Sequence, residues 1–476
     1  MSADGSGEAQ ANLEKVDHVV VLMLENRSFD HMLGYLSLQG GRPDIDGLRP
    51  GFANEYQGRA YPIHHLDTTA VPVDPDHSAR AVDLQVADGR MDGFAASLMA
   101  TYAGLGVQDG DASPVMGYYD GADVPVYDHL AEEFSVCDRW FSSVPGATWP
   151  NRLYALCGRA AGSRDDLPPH MPPFYIQPSF IRHLDAHHVS WRWYSFDPGT
   201  LRYADARYKL GHLDRFAYFS KAGLSFKTKI ELRVSTKAAS FLEDAARGTL
   251  PSLSWIDPAF TSFNPLGFLA NDDHAPVDIR NGQDLVLAVY DALAASPQWE
   301  RTLLVIVYDE HGGFFDHVPP PRAPDDDPEM FGRYGVRVPA IIVSPWVEPR
   351  SVSNTLFDHT SIIKTTLMRF CPDALDPQRP RTRLGRLQFG HPHDLGARVA
   401  HANHLGGLLT GTTPRKAPPR DALIRAAALR ASAEVRTGDP AIDRPGPRNH
   451  SHTHLQQRVM AATEELTRRG HPSGAP

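Results

Sequence analysis

Two stretches of this chain share one design: a short, unbroken run of branched apolar residues that turns abruptly polar. The first, residues 16–24 (VDHVVVLML), runs into Glu25, Asn26, Arg27 and Ser28. The second, Thr302–Tyr308 (TLLVIVY), runs into Asp309, Glu310 and His311, then Gly312 and Gly313, then Asp316, His317 and a run of prolines. Such runs are too short for helices and lack polar alternation, so they suit strands buried on both faces of a parallel sheet. Ligands of such sheets bind just beyond the carboxyl ends of the strands. The pattern therefore delivers carboxylates and histidines to that place. The paired glycines allow a bend that a Cβ would resist.

Between and after these runs the pattern predicts more of the same architecture. Ser28 suits the N-cap of a short helix, FDHMLGYL. Residues 40–126 are rich in Gly, Pro, Asp and His and read as a long insertion with few strong elements, in which a DPDHS turn presents His77. A lone loop histidine is ordinarily only solvated. Residues 134–158 read as a strand (FSVCDRWF), a turn, and a helix capped by Thr148, with Pro150 in its first turn and Gly158 beyond its last. A hydroxyl at a helix N-terminus faces free N–H groups that attract phosphate, and Arg152 adds a fork suited to phosphate oxygens; the plainer alternative is that Thr148 only caps. A Pro-rich link, a strand (HHVSWRWYSF), a basic and aromatic stretch and a helix over 236–247 follow. The strand LPSLSWIDP, the polar loop from Asn271 to Pro276 with His274, and a helix over 279–295 with Leu285, Val286, Val289 and Leu293 on one face lead back to Thr302. Strand, helix, strand in that order is a βαβ unit. One more strand lies in VRVPAIIVSPW, and Asp358 suits the N-cap of HTSIIKTTLMRF, with His359 in its first turn.

Composition narrows the partners. The chain has 476 residues, 42% of them hydrophobic, enough for one large α/β domain, and a net charge of -10 with no long basic block, which argues against nucleic acid. Three cysteines, Cys137, Cys157 and Cys371, make no disulfide framework and read as buried thiols. Residues 1–15 read as a disordered polar tail without a signal-peptide pattern, and no apolar run is long enough to span a bilayer. The expectation is a soluble, cytoplasmic protein with at most peripheral membrane contact, export by another route being left open and the oligomeric state unread. The texture changes after Cys371: residues 372–476 read as a peripheral extension with helices near 421–435 and 454–468. Walker, GxGxxG and GxSxG motifs do not occur.

Carboxylates and histidines at strand ends, with a hydroxyl at a helix N-terminus, fit metal-assisted phosphoryl transfer. The stretches ENRSFDHMLGYL, GRMDGF, MGYYDGADVPVYDHLAEEFSVCDRWF, GATWPNRLYALCG, SWIDP, YDEHGGFFDHVPPP, RYGVRVPAIIVSPWV and FDHTSI, in that order over most of residues 16–370, resemble the bacterial phosphoesterase family of non-haemolytic phospholipase C and acid phosphatase. The resemblance implies an alkaline phosphatase/sulfatase-like α/β fold: a three-layer sandwich with a central, mostly parallel sheet and large loop insertions, spanning 16–371. It implies a divalent metal of unknown identity on Glu25, Asn26, Asp309 and Glu310, and Thr148 as nucleophile. It further implies His77 and His274 at the phosphate. Arg152, Asn151, His311 and His317 are the candidate phosphate or substrate contacts, and Asp278, Asp316 and His359 rank behind them. The expected activity is phospholipase C-type hydrolysis of a phospholipid. The alternatives are a phosphomonoesterase acting on a small phosphate ester, and an inactive relative that only binds phosphate or metal.

Overall fold

The computed structural model describes residues 3–39, 41–167, 175–221, 238–260, 270–376 and 395–418. Among them the strands, in chain order, are β1 (His18–Leu24), β2 (Ala53–Tyr56), β3 (Arg59–Pro62), β4 (His64–His65), β5 (Gly117–Tyr118), β6 (Ser135–Cys137), β7 (Trp191–Ser195), β8 (Phe216–Tyr218), β9 (Leu253–Ile256), β10 (Thr302–Tyr308), β11 (Ala340–Val343) and β12 (Ser351–Ser353). Eight of them form one sheet in the order β12-β6-β11-β10-β1-β9-β7-β8. Only β11 runs against its neighbours; the rest are parallel.

The two apolar runs become the centre of this sheet. β1 lies between β10 and β9, with Leu24 opposite Tyr308 and Leu22 opposite Ile256. Every residue of β10, and every residue of β1 after His18, is buried. Successive side chains point to opposite faces, so both faces of the sheet are covered. Each fully buried Val, Leu or Ile there contributes about 1.5–3 kcal/mol relative to exposure. Because the strands are parallel and in register, Glu25, Asp309 and Asp257 leave the sheet side by side at its carboxyl edge.

The helix Ile279–Ala294 buries Leu285, Val286, Val289 and Leu293, the predicted face, and Asp278 caps it by accepting from the Arg280 N–H. All three cysteines are buried free thiols. No described helix is long and apolar enough to cross a membrane.

Several expectations are corrected. Residues 3–15 are a helix (Ala3–Asn12) and a 3-10 turn (Leu13–Lys15) rather than a disordered tail, with Ala9 and Leu13 buried. The 40–126 region is more ordered than its composition suggests. It holds the β2–β3 hairpin, turning at Gln57 (φ 51°) and Gly58 (φ 78°), and the helices Ala79–Val86 and Phe94–Gly104. The hairpin uses Gln-Gly where Asn-Gly is the usual signal. The N-caps expected at Thr148 and Asp358 fall on Ala147 and His359, neither of which makes a side-chain capping bond. The helices predicted at 421–435 and 454–468 lie outside the described residues, as do parts of the Pro-rich link and of the basic, aromatic stretch.

Part of the C-terminal extension packs closely on the domain. Leu395 approaches Gly158, the left-handed C-cap (φ 71°) of the helix Thr148–Cys157, so closely that a Cβ on Gly158 would lie 2.4 Å from the Leu395 carbonyl oxygen. Arg398 is buried, donates to the Ser143 carbonyl (2.6 Å) and pairs with Asp325 (3.0 Å). It thereby braces the loop that leads into Thr148.

Candidate functional site

Glu25 and Asn26 continue β1, and Asp309 and Glu310 continue β10. The Asn26 backbone adopts a left-handed conformation (φ 61°), one that Asn tolerates better than most residues. Its N–H donates to Asp309 Oδ1 at 3.2 Å. Gly312 (φ +63°) makes this turn compatible with the β10 loop, since a Cβ there would sit 2.1 Å from the Asn26 carbonyl oxygen. The predicted glycine bend is therefore a close approach between the two acidic tips.

Thr148 joins them. It is 1% exposed, and its hydroxyl, not used for capping, donates to Asn26 Oδ1 at 3.4 Å. One turn further on, Arg152 donates through Nε to Asp309 Oδ2 (3.0 Å) and pairs through Nη2 with Glu25 Oε1 (3.1 Å). Those donors are turned to the carboxylates, so Arg152 acts first as their counter-charge. Asn151 is committed elsewhere. Its Nδ2 donates to the carbonyls of Val144, Gly146 and Ala147 and its Oδ1 accepts from the Val144 N–H, so the side chain clamps the loop before Thr148.

Both predicted histidines arrive. His274 donates through Nδ1 to Glu25 Oε2 and through Nε2 to Asp74 Oδ1, each at 3.0 Å. His77 donates through Nδ1 to the Pro75 carbonyl at 2.9 Å, leaving Nε2 3.9 Å from Glu310 Oε1. The Asn26 amide stands between the two rings, its Nδ2 2.9 Å from His274 Nε2 and 3.3 Å from His77 Nε2. Burial opposes charge on both rings, but neighbouring carboxylates prevail. Glu310 and Asp74 hold His77 up at about 9, and Asp74 and Glu25 hold His274 well above the usual imidazole range.

The remaining candidates separate. His311 lies behind Glu310, with Nδ1 3.2 Å from Glu310 Oε2 and Nε2 held by Gln85. His359 donates through Nε2 to the Asp309 carbonyl (2.6 Å) and accepts from Trp140 at Nδ1. Burial pushes its pKa down to about 4, so it stays neutral. His317 and Asp316 do not join the Thr148 network; they pair with Asp30, Asp46 and Arg337. Asp278 binds Arg280.

Sequence reasoning missed three carboxylates here. Asp74 lies three residues before His77. Asp272 lies two before His274 and accepts the His274 N–H (3.1 Å), while its backbone carbonyl takes the Glu25 N–H (2.8 Å). Asp257 follows β9, is held by Trp193 and Thr200, and interacts electrostatically with Arg152. Asp74 and Asp272 flank histidines already singled out, which was the available signal.

The donor set fits a hard divalent cation. Glu310 Oε1 and Asp272 Oδ2 are buried without a hydrogen-bond partner, which is costly unless something positive faces them. Burial first, and Glu25 next, push the carboxyls of Asp309 and Asp272 well above their usual range; a cation relieves that crowding. The ligand atoms of Asp74, His77 and His274 also lie within 4.8 Å of one another, but these imidazoles already donate to carboxylates and a carbonyl. The oxygen set suits a hard ion better.

A hydroxyl, two histidines flanked by carboxylates and an oxygen-rich donor set that fits a cation gather at the carboxyl edge of a parallel sheet, the arrangement of a phosphoric ester hydrolase. The chain belongs to the Phosphoesterase family, whose model matches residues 16–371. It is 36% identical over 384 residues to the non-specific phospholipase C6 of Arabidopsis thaliana, covering 76% of this chain and 69% of that protein. It is 31% identical over 420 residues to phospholipase C A of Mycobacterium tuberculosis strain H37Rv, covering 77% and 75%. Among solved structures it is similar to a sulfatase, PsFucS1 from Pseudoalteromonas sp., at 12% identity and a TM-score of 0.39 over 87% of this chain and 78% of that one.

Proposed function

We propose that the protein cleaves phospholipids in the manner of a phospholipase C, through a covalent phosphothreonine at Thr148. The observation that carries this reading is the Thr148 hydroxyl: buried at a helix start, not spent on capping, and hydrogen-bonded to Asn26 between the two acidic strand tips. In the first step Thr148 gives up its hydroxyl proton to solvent, and its Oγ1–phosphorus bond forms as the bond from phosphorus to the glycerol oxygen breaks. His77, with Nε2 facing the site, gives the leaving oxygen its proton. A water oxygen then bonds to phosphorus as the Thr148 Oγ1–phosphorus bond breaks, releasing the head-group phosphate; the proton the water loses returns to His77, and Thr148 Oγ1 takes one back from solvent. His274, fixed between Glu25 and Asp74, orients a phosphate oxygen, while Arg152 keeps Glu25 and Asp309 in place. Glu25, Asn26, Asp309 and Glu310, with Asp272 behind them, would hold a divalent cation, which supplies Lewis acidity and lowers the pKa of the hydroxyl. The names of the relatives and the family match support a phosphodiester substrate of this class.

The test is an acid-quenched turnover of phosphatidylcholine followed by mass spectrometry of the peptide containing Thr148. A phosphorylated Thr148, and a kcat/KM lowered about 10^3-fold or more in Thr148→Ala, are expected. Thr148→Ala with unchanged activity contradicts the mechanism, and faster turnover of p-nitrophenyl phosphate than of phosphatidylcholine contradicts the diester preference.

A further inference from the structure

Among the acidic residues that meet the two histidines and the strand tips, one differs from the rest. Glu25, Asp309 and Glu310 have fully buried side chains, whereas that of Asp74 is 36% exposed. Asp74 is thus a carboxylate that an arriving substrate meets, with His274, His77 and Arg27 as the positive groups acting on it. Its Oδ1 accepts from His274 Nε2 at 3.0 Å and stands 4.0 Å from His77 Nδ1. The loop holding it is braced: Pro75 follows, and the Pro75 carbonyl accepts from His77 Nδ1.

We propose that Asp74 sets a preference for phosphate esters carrying one negative charge over those carrying two. The inference deepens the reading above and takes from it only the place of phosphorus, between Thr148 and the two histidines. An oxygen of that phosphate reaches His274 Nε2 by coming alongside the Asp74 carboxylate, which holds the same proton. A diester presents one charge shared by its two non-bridging oxygens; its other oxygens are neutral ester oxygens. A monoester at neutral pH carries a charge approaching two, since its second ionisation lies near pH 6, and it carries a third terminal oxygen. Two like charges at this separation, partly screened by water, repel enough to change an equilibrium by more than tenfold. Asp74 therefore penalises the second charge of a monoester more than the single charge of a diester, which is discrimination by an unfavourable contact against the wrong ligand. Removal of its charge widens the specificity.

Asp74→Asn keeps an oxygen for His274 and removes the charge; Asp74→Glu keeps the charge. The quantity to measure is kcat/KM for p-nitrophenyl phosphate divided by that for phosphatidylcholine in mixed micelles, at pH 8 with the same divalent cation. The expected result is a ratio raised by about tenfold or more in Asp74→Asn and close to wild type in Asp74→Glu. A ratio unchanged or lowered in Asp74→Asn overturns the proposal. If Asp74→Asn loses both activities, calorimetric titration with orthophosphate and dimethyl phosphate decides. Orthophosphate binding tightened more than dimethyl phosphate binding supports the proposal; parallel changes overturn it. A wild-type enzyme that prefers the monoester sinks the diester reading instead, and the shift between wild type and Asp74→Asn still decides the role of Asp74.

Discussion

The loop that leaves β10 feeds two ionic clusters of opposite character. Asp309 and Glu310 enter the cluster around Thr148, where Glu25, Asp272 and Asp74 bring the carboxylates to a clear excess over Arg152, His77 and His274. Three carboxylate oxygens there, Glu25 Oε1, Asp272 Oδ2 and Glu310 Oε1, are buried without a hydrogen bond. A few residues later, Asp316 and His317 enter a second cluster with Asp30, Asp46, Arg337 and Arg139. In it Arg337 donates to Asp316 (2.9 Å) and Asp30 (3.1 Å), His317 bridges Asp30 (2.6 Å) and Asp46 (3.2 Å), and Arg139 takes the other Asp46 oxygen (2.6 Å). No carboxylate oxygen in that group lacks a partner. Both clusters are mostly buried and both contain histidine. What separates them is satisfaction: a balanced network ties loops together, and an unbalanced one is completed by something it binds.

The largest effects should come from completing or depriving the unbalanced cluster. Chelation of divalent cations is expected to remove hydrolysis, by about a hundredfold or more, and readdition to restore it. In thermal unfolding, a cation at about a hundred times its Kd adds about 2.7 kcal/mol to the wild type. Glu310→Gln should lose most of that increment, and His317→Gln should keep it. A chelated enzyme that works at full rate, or a cation-dependent increment that vanishes in His317→Gln, breaks the distinction between the two groups.

The next effect is on stability alone. Arg337→Met strands the buried carboxylates of Asp30 and Asp316 and should cost about 3–5 kcal/mol in urea unfolding. Asp272→Asn in cation-free protein should cost nothing or add about 1 kcal/mol, because it relieves like-charge crowding with Glu25 while keeping an acceptor for the His274 N–H. Equal losses in the two variants would mean that the Thr148 cluster is as well compensated as the other.

How far the chain could be read in advance follows from the same contrast. The central strands and their acidic tips were legible because periodicity and an abrupt polar break are local signals. The place of Thr148 at a helix start was legible through helix punctuation, although the residue does not serve as the cap. The fate of His317 was not legible: it follows His311 closely, but the left-handed bend at Gly312 and Gly313 sends it to other partners. Asn151 looked like a phosphate ligand beside Arg152 until its amide proved to be spent on three carbonyls of its own loop. Asp74 escaped notice because the proton it accepts belongs to a histidine 200 residues away, and no short-range pattern records such a meeting.

The smallest expected effect tests whether the balanced cluster is a load of charge or merely a set of hydrogen bonds. His317 faces Asp30, Asp46 and Asp316 on one side and Arg337 on the other. Burial lowers its pKa, yet Asp30 and Asp316 prevail and hold it above the model-peptide value of 6.5. A folded-state pKa above the unfolded one means that the native protein binds the extra proton. The imidazolium then contributes its full stabilisation below about pH 6.5 and loses it as pH rises through the raised value. Subtracting the stability of His317→Gln from that of the wild type, pH by pH, should give a difference that is largest at the acidic end. It should fall on the alkaline side no more steeply than about 1.4 kcal/mol per pH unit, the limit for one proton. A flat difference would mean that His317 serves as a neutral hydrogen-bonding ring, in which case Arg337 and Arg139 alone neutralise three carboxylates, two of them buried, and the balance drawn between the two clusters fails.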